Sequence, residues 1–155
     1  LSDLGWGQRL RELLRQDAEV PGPVLSAVVQ VLSEWDWSQR PVAVVGMPSR
    51  RHPRLVGSLS AEIARIGRLP LLGALDLVDG GARGEPGGNS AFRLAGVWGS
   101  VAVGSALGGL VGGIPGPVLL VDDLVSSRWT LTVAARELRR AGAPAVLPLV
   151  LAIDG

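Results

Sequence analysis

The sequence predicts an α/β fold, a mostly parallel sheet flanked by helices, and three observations carry that prediction. Four short apolar runs, residues 42–45, 71–75, 118–121 and 146–151, have the length and composition of strands, and the third reads as a strand buried on both faces. Between them apolar residues recur at helical spacing, so strands and helices alternate in the way that builds a parallel sheet. The third run leads directly into two carboxylates, a hydroxyl-rich loop and another helical pattern, which places chemistry at a strand end. With 155 residues the chain suffices for one domain with a real core. It divides into a helical N-terminal part, 1–40, and an α/β core, 41–155.

Taken in order, Ser2 or Asp3 can cap a first helix whose stripe is Trp6, Leu10, Leu13 and Leu14. Pro21-Gly22-Pro23 breaks the chain, and a second helix carries Val24, Val28, Val31, Leu32 and Trp35 on one face. The first core strand follows Arg40-Pro41, and its exit loop, Gly46 to Arg54, holds three arginines and His52. A third helix has Leu55, Leu59, Ile63 and Ile66 on its apolar face and ends at Gly67. The second strand tolerates Pro70 because a proline is admissible at a strand's start. From Asp76 to Asn89 the chain is polar and Gly-rich, the composition of a mobile loop of the kind that covers an active site.

Residues 97–103 have strand-like composition, and 104–116 are low in complexity. Gly104-Ser105-Ala106-Leu107-Gly108 comes near a dinucleotide fingerprint. It lacks the full spacing and is expected to precede a strand instead of opening a helix, which rejects it. After the central strand, Leu131, Ala134, Ala135, Leu138 and Ala141 mark a helix with Gly142 as its stop. The last strand falls within 145–153. Trp6, Trp35, Trp37 and Trp98 read as packing residues.

Composition narrows the chemistry. A hydrophobic share of 47% belongs to a globular domain and not to a disordered tail. No apolar run is long and Gly-free enough to span a membrane, and Asp3, Arg9 and Arg11 interrupt any signal-peptide core. A cytoplasmic location without membrane contact is therefore expected. The chain opens at Leu1 without an initiator Met, which reads as a segment of a longer protein or a processed one. Without Cys there is no disulfide and no thiolate metal site. The 15 residues counted as Lys or Arg are all Arg. A Walker A loop needs its Lys on the phosphates and pyridoxal-phosphate chemistry needs a Schiff-base Lys, so both are excluded. Few groups titrate between neutral pH and the Arg range, so a pI near 9.2 accompanies a net charge of only +1. That balance is no nucleic-acid footprint.

The densest chemistry lies in Val121-Asp122-Asp123-Leu124-Val125-Ser126-Ser127-Arg128-Trp129-Thr130. Successive strand residues face opposite sides, so Asp122 and Asp123 are expected to do different jobs. Ser126, Ser127 and Thr130 put hydroxyls beside the free N–H groups of a helix start, which together make a phosphate site. Arg128 can add a charge-assisted bond to the anion. The exit loop of the first strand lies at the carboxyl edge, where open α/β sheets bind ligands. There Ser49, Arg50 and Arg51 are candidates for holding a pyrophosphate, set against a plain solvated basic loop. His52 has no second His or Cys for a metal site and reads as an exposed side chain without a catalytic role. Protein side chains alone are expected to hold no metal.

These residues resemble the signature of the type I phosphoribosyltransferases: an apolar strand ending in two acidic residues, then a loop running to Thr-Gly-x-Thr and a helix. Ser127 stands at the first Thr of that pattern, Thr130 at the last, and Arg128 where the Gly should be. The resemblance implies that loop 126–130 holds a 5′-phosphate and that Asp122 and Asp123 contact ribose hydroxyls. It places a pyrophosphate loop at Ser49, Arg50 and Arg51, with Mg²⁺ arriving only if a phosphoribosyl pyrophosphate-type ligand binds. The departure at Arg128 matters because a Cβ costs roughly 1–2 kcal/mol in the left-handed region. Either the loop is reshaped or Arg128 itself meets the anion.

The Pro-containing, Arg-rich stretch at 46–54 is similar to that of the ComF relatives of this family, and Asn89-Ser90-Ala91-Phe92-Arg93 loosely so. Trp6-Gly7-Gln8-Arg9-Leu10, Arg40-Pro41-Val42-Ala43-Val44, Ile66-Gly67-Arg68-Leu69-Pro70 and residues 122–130 together look like the C-terminal region of RecQ-like ATP-dependent DNA helicases from actinobacteria. Those helicases carry a phosphoribosyltransferase-like domain after the motor. That resemblance implies a DNA-unwinding parent, and DNA as a partner through it.

Three functions follow as expectations. One is a non-catalytic accessory domain that binds a phosphorylated sugar, a nucleotide or the 5′-phosphate of a DNA end. Another is an active phosphoribosyltransferase, against which Arg128 and the lack of a recognisable base-binding segment count. The third is a protein-interaction domain with a bland carboxyl edge.

Overall fold

The computed structural model describes residues 5–78, 99–126 and 128–154. In chain order the elements are α1 (Trp6–Leu13), α2 (Gly22–Glu34), β1 (Ala43–Gly46), α3 (Pro53–Gly67), β2 (Leu71–Ala74), β3 (Asp76–Leu77), β4 (Val101–Ala102), α4 (Ser105–Val111), β5 (Val118–Val125), α5 (Arg128–Arg140) and β6 (Val146–Ile153). Four strands form one parallel sheet in the order β2-β1-β5-β6, and β3 and β4 pair separately and antiparallel. All four predicted core strands form, and the α/β class with a parallel sheet flanked by helices is confirmed.

The alternation of side chains along β5 divides the core in two. Val118 and Leu120 face α4 and α5, in a cluster with Val45, Leu107, Val133 and Leu138. Leu119 and Val121 face α3, in a cluster with Val44, Leu59, Ile63 and Ala64, and α2 covers it through Leu25, Val28 and Leu32. β1 leads through α3 to β2 on one side, and β5 leads through α5 to β6 on the other. Strand order therefore reverses between β1 and β5, the switch point where open α/β sheets leave a crevice at the carboxyl edge.

Several expectations are corrected. β5 does not end at the acidic pair. β1 accompanies it only as far as Gly46↔Val121, and the ladder with β6 continues through Asp122↔Val150, Leu124↔Ala152 and Val125↔Ile153. The acids therefore lie inside a strand that overhangs its neighbour. The low-complexity stretch contains α4, with Gly104 at its N-cap, so the fingerprint-like segment does open a helix. Its spacing still fails, and the strand before it is a two-residue antiparallel one. Of the strand expected at 97–103, Val101–Ala102 is strand among the described residues 99–103, and Asp76–Leu77, expected to start a loop, is strand β3.

Other corrections concern helix faces and ends. Val31, Trp35 and Ile66 are 50%, 59% and 42% exposed and lie off the buried helix faces, and Trp6 is 36% exposed. Trp6 and Trp35 are thus not core residues. α3 ends at Gly67 as expected, with Arg68 at its C-cap in the left-handed conformation, φ 53°. Gly142 stops α5 as expected. Its φ is +115°, and a Cβ there would come within 2.9 Å of the Gly112 Cα, so only glycine lets the ends of α5 and α4 meet. The cap at Ser2 or Asp3, the Gly-rich loop beyond Val78, residues 89–93 and Trp98 lie outside the described residues.

Candidate functional site

The β5 overhang presents its two carboxylates to opposite faces, as the alternation requires. Asp123 follows Leu119 and Val121 towards α3. There it meets His52, the residue immediately before α3, whose position is fixed by Pro53 at the first helical turn and by its own N–H donating to Ser49 Oγ at 3.0 Å. His52 Nδ1 pairs with Asp123 Oδ2, and His52 Nε2 donates to the Leu14 carbonyl at 3.1 Å. Both side chains are buried, each 6% exposed. The expectation of an exposed His52 is overturned.

The protons on this chain of groups follow from what each can do. A carbonyl only accepts, so Nε2 carries a hydrogen. A bare Nδ1 opposite a carboxylate would set lone pair against lone pair, so one proton lies between Nδ1 and Oδ2. Whether it is counted as imidazolium and carboxylate or as imidazole and carboxylic acid, the pair sums to zero charge. Asp123 therefore brings no net charge to the crevice, and its Oδ2 is taken.

Asp122 follows Val118 and Leu120 towards the α5 side. It is buried at 8% exposure, and its Oδ1 accepts the Asp123 N–H at 2.9 Å. Burial pushes its carboxyl up to about 7, the neighbouring Asp123 carboxyl adds to the rise, and the bond from the Asp123 N–H works against it. Near neutral pH this group is about half protonated.

Beyond β5, Ser126 is exposed, Ser127 lies outside the described residues, and α5 begins at Arg128. Among the described residues only Arg68 combines a side chain with positive φ. Arg128 therefore carries no left-handed cost, because it is the first residue of α5. Arg128 is exposed, and Thr130 is half-buried on the first turn. No acidic residue occupies that turn. Thr132 Oγ1 donates to the Arg128 carbonyl at 2.9 Å. Trp129 packs against the α4–α5 core cluster, which makes it a packing residue and not a free stacking face.

At the same edge Arg50 and Arg51 are exposed, and no carboxylate lies in ion-pair distance of either among the described residues. Ser49 lines a cavity of about 240 Å³ with Gly46, Pro53, Ser60 and Gly73. That cavity opens on the β2 side and does not reach the acids. The structure thus joins Asp122, Asp123 and His52, while Ser49, Arg50 and Arg51 stand on the same edge without closing on them. Among the described residues no group of three His, Asp or Glu side chains is placed to hold a metal ion. With Asp123 committed to His52 and Asp122 buried, these donors do not fit a protein-held divalent cation.

The purine phosphoribosyltransferase from Pyrococcus horikoshii Ot3 superposes with a TM-score of 0.50 at 18% identity, over 88% of this chain and 78% of that one. The fold is the phosphoribosyltransferase fold. The allosteric regulatory enzyme of purine biosynthesis aligns with a TM-score of 0.52 at 21% identity, over 83% of this chain. The phosphoribosyltransferase fold seen here spans 25% of that larger enzyme. No family model matches the sequence, and no curated protein matches it significantly.

Proposed function

We propose that the chain is a non-catalytic module on the phosphoribosyltransferase fold, an accessory domain of a RecQ-type ATP-dependent DNA helicase. It binds the phosphate of a phosphorylated sugar, a nucleotide or a DNA 5′ end at the start of α5. The observation that carries the loss of transfer is the chain Asp123–His52–Leu14. The family resemblance assigns Asp123 to ribose hydroxyls, and that work needs a carboxylate free to accept. Here the side chain is buried, and one of its two oxygens, Oδ2, is taken by an imidazole held from its far side. Asp122, half protonated and buried, is a poor replacement.

Phosphate binding draws on what remains. The free N–H groups and dipole at the start of α5 favour an anion by about 0.3–1 kcal/mol when exposed. Ser126 and Thr130 offer hydroxyls, and Arg128 offers a charge-assisted bond. With Asp123 neutralised by His52 and Asp122 partly by its proton, a phosphate meets less repulsion than two free carboxylates would create. The helicase context rests on the four sequence stretches that resemble that family.

Two measurements test this reading. Phosphoribosyl pyrophosphate supplied with Mg²⁺ and purine or pyrimidine bases should give product at background. Oligonucleotides with a 5′-phosphate should bind more tightly than the same ones with a 5′-hydroxyl, by a margin that shrinks as salt rises. Clear turnover restores the active-enzyme reading. Equal affinity for both ends, with no binding of a nucleoside monophosphate, favours the interaction-domain reading, which the exposed Val31 on α2 and Trp35 at its C-cap support.

A further inference from the structure

A second concavity lies at the amino edge of the sheet, opposite the carboxyl-edge site. It is about 290 Å³ and is enclosed by α2, α3 and the segment leading into β1. Its floor is apolar: Leu119 and Ile63 are 2% and 4% exposed, and Leu32 and Leu69 line the walls. Trp37 forms a fixed side, because its indole N–H donates to the Leu32 carbonyl at 2.9 Å. Arg40 is the single charged residue of the lining. Its guanidinium is exposed and has no carboxylate within ion-pair distance among the described residues.

We propose that this cavity binds a small carboxylate whose apolar body is about the size of one ring, with the carboxylate on the Arg40 guanidinium. The volume lies at the small end of ligand sites, about 300–1,000 Å³, enough for one ring and not for a nucleotide. Leu32, Ile63, Leu69 and Leu119 supply apolar contact, and the ring of Trp37 offers a rigid aromatic face. One fork of donors at an otherwise apolar wall matches a planar monoanion, which a guanidinium engages bidentately. A phosphate monoester, with nearly two charges against one cation, would leave much of its charge to be desolvated against hydrocarbon. A neutral apolar compound would leave the guanidinium unused. The site is independent of the phosphate reading at the start of α5, because the two lie at opposite ends of β5.

The test titrates the 155-residue chain with 3-phenylpropionate and with 3-phenylpropanamide, which has the same body and no charge. Calorimetry measures affinity, and the indole N–H resonance of Trp37 reports the place. The acid should bind with a Kd on the order of 1 mM or tighter and shift that resonance. The amide should bind about tenfold more weakly, the worth of one charge-assisted pair. Arg40→Gln, at an exposed position that leaves the fold intact, should reduce the acid to the level of the amide. Ser33→Phe, on the rim, should block both. Equal affinity of acid and amide, no binding of either, an unchanged acid affinity in Arg40→Gln, or a shift confined to other resonances would overturn the assignment.

Discussion

Asp122 sets a pH dependence of stability through its burial. A free aspartate titrates near 3.9, whereas burial holds Asp122 at about 7 in the folded chain. Between those values the folded state binds more protons than the unfolded one. This group's contribution therefore lowers stability as pH rises through the window, and the loss levels off above about 7. Asp122→Asn keeps an oxygen for the Asp123 N–H and removes the titration. Thermal unfolding should find wild type and variant alike near pH 4, and the variant more stable near pH 8 by on the order of 2–4 kcal/mol. A difference of the same size at both pH values would show that burial of the charge is not the cause. His52 calls for a different experiment. His52→Ala strands Asp123 in a buried site and should cost about 3–5 kcal/mol, as should Asp123→Ala, while the double variant should cost clearly less than the sum. Additive costs would mean that the two groups do not pair. Asp122 and Asp123 were legible in the sequence because adjacent acids after an apolar run are rare. His52 was not, because its partners lie 71 and 38 residues away and nothing in Arg51-His52-Pro53 distinguishes a buried imidazole from an exposed one.

The elements show the same division between local and distant causes. The core strands were legible because four apolar runs admit little else, but the length of β5 was not. Its last four residues are strand because β6 extends alongside them, a tertiary cause that overrides the low strand propensity of Asp. α4 was hidden because Gly108 and Gly109 lower helix propensity by about 1 kcal/mol each, and the helix forms by burying Leu107 and Val111. The start of α3 also takes its cap from afar. His52 supplies no side-chain cap. Instead the Asp17 carboxylate accepts the N–H of Arg54 at 2.9 Å and of Leu55 at 3.1 Å, so an acidic group outside the helix meets its positive end. Asp17→Ala should lower stability by about 0.5–2 kcal/mol, and Asp17→Asn, which still accepts, by less. Chemical denaturation resolves the two, and equal losses would mean that the oxygen acceptor is not what matters.

At the scale of the molecule, the reversal of strand order between β1 and β5 creates the crevice, and the N-terminal segment ties itself across one wall of it. Three groups make that tie: the Leu14 carbonyl on His52, the Asp17 carboxylate on α3, and the Val20 N–H donating to Ser58 Oγ at 2.8 Å. Val20 also packs against the α3-side cluster. By contrast α1, which precedes the tie, buries only Gly7 completely, and Arg9 lies over the Trp6 ring at the surface, 5.5 Å from its centroid. Two deletions separate the parts. Removing residues 1–11 takes away most of α1 and leaves the tie, and should cost no more than about 1 kcal/mol. Removing residues 1–20 takes away the tie, strands the Nε2 hydrogen of His52 and uncaps α3. At about 1 kcal/mol for each lost bond or cap it should cost on the order of 3 kcal/mol or more. Urea unfolding midpoints of the two truncated chains measure the contrast. If both fall equally, α1 itself secures the fold, and the Leu14–His52–Asp123 chain is then a consequence of α1 docking and not the fastening that keeps Asp123 from a ligand.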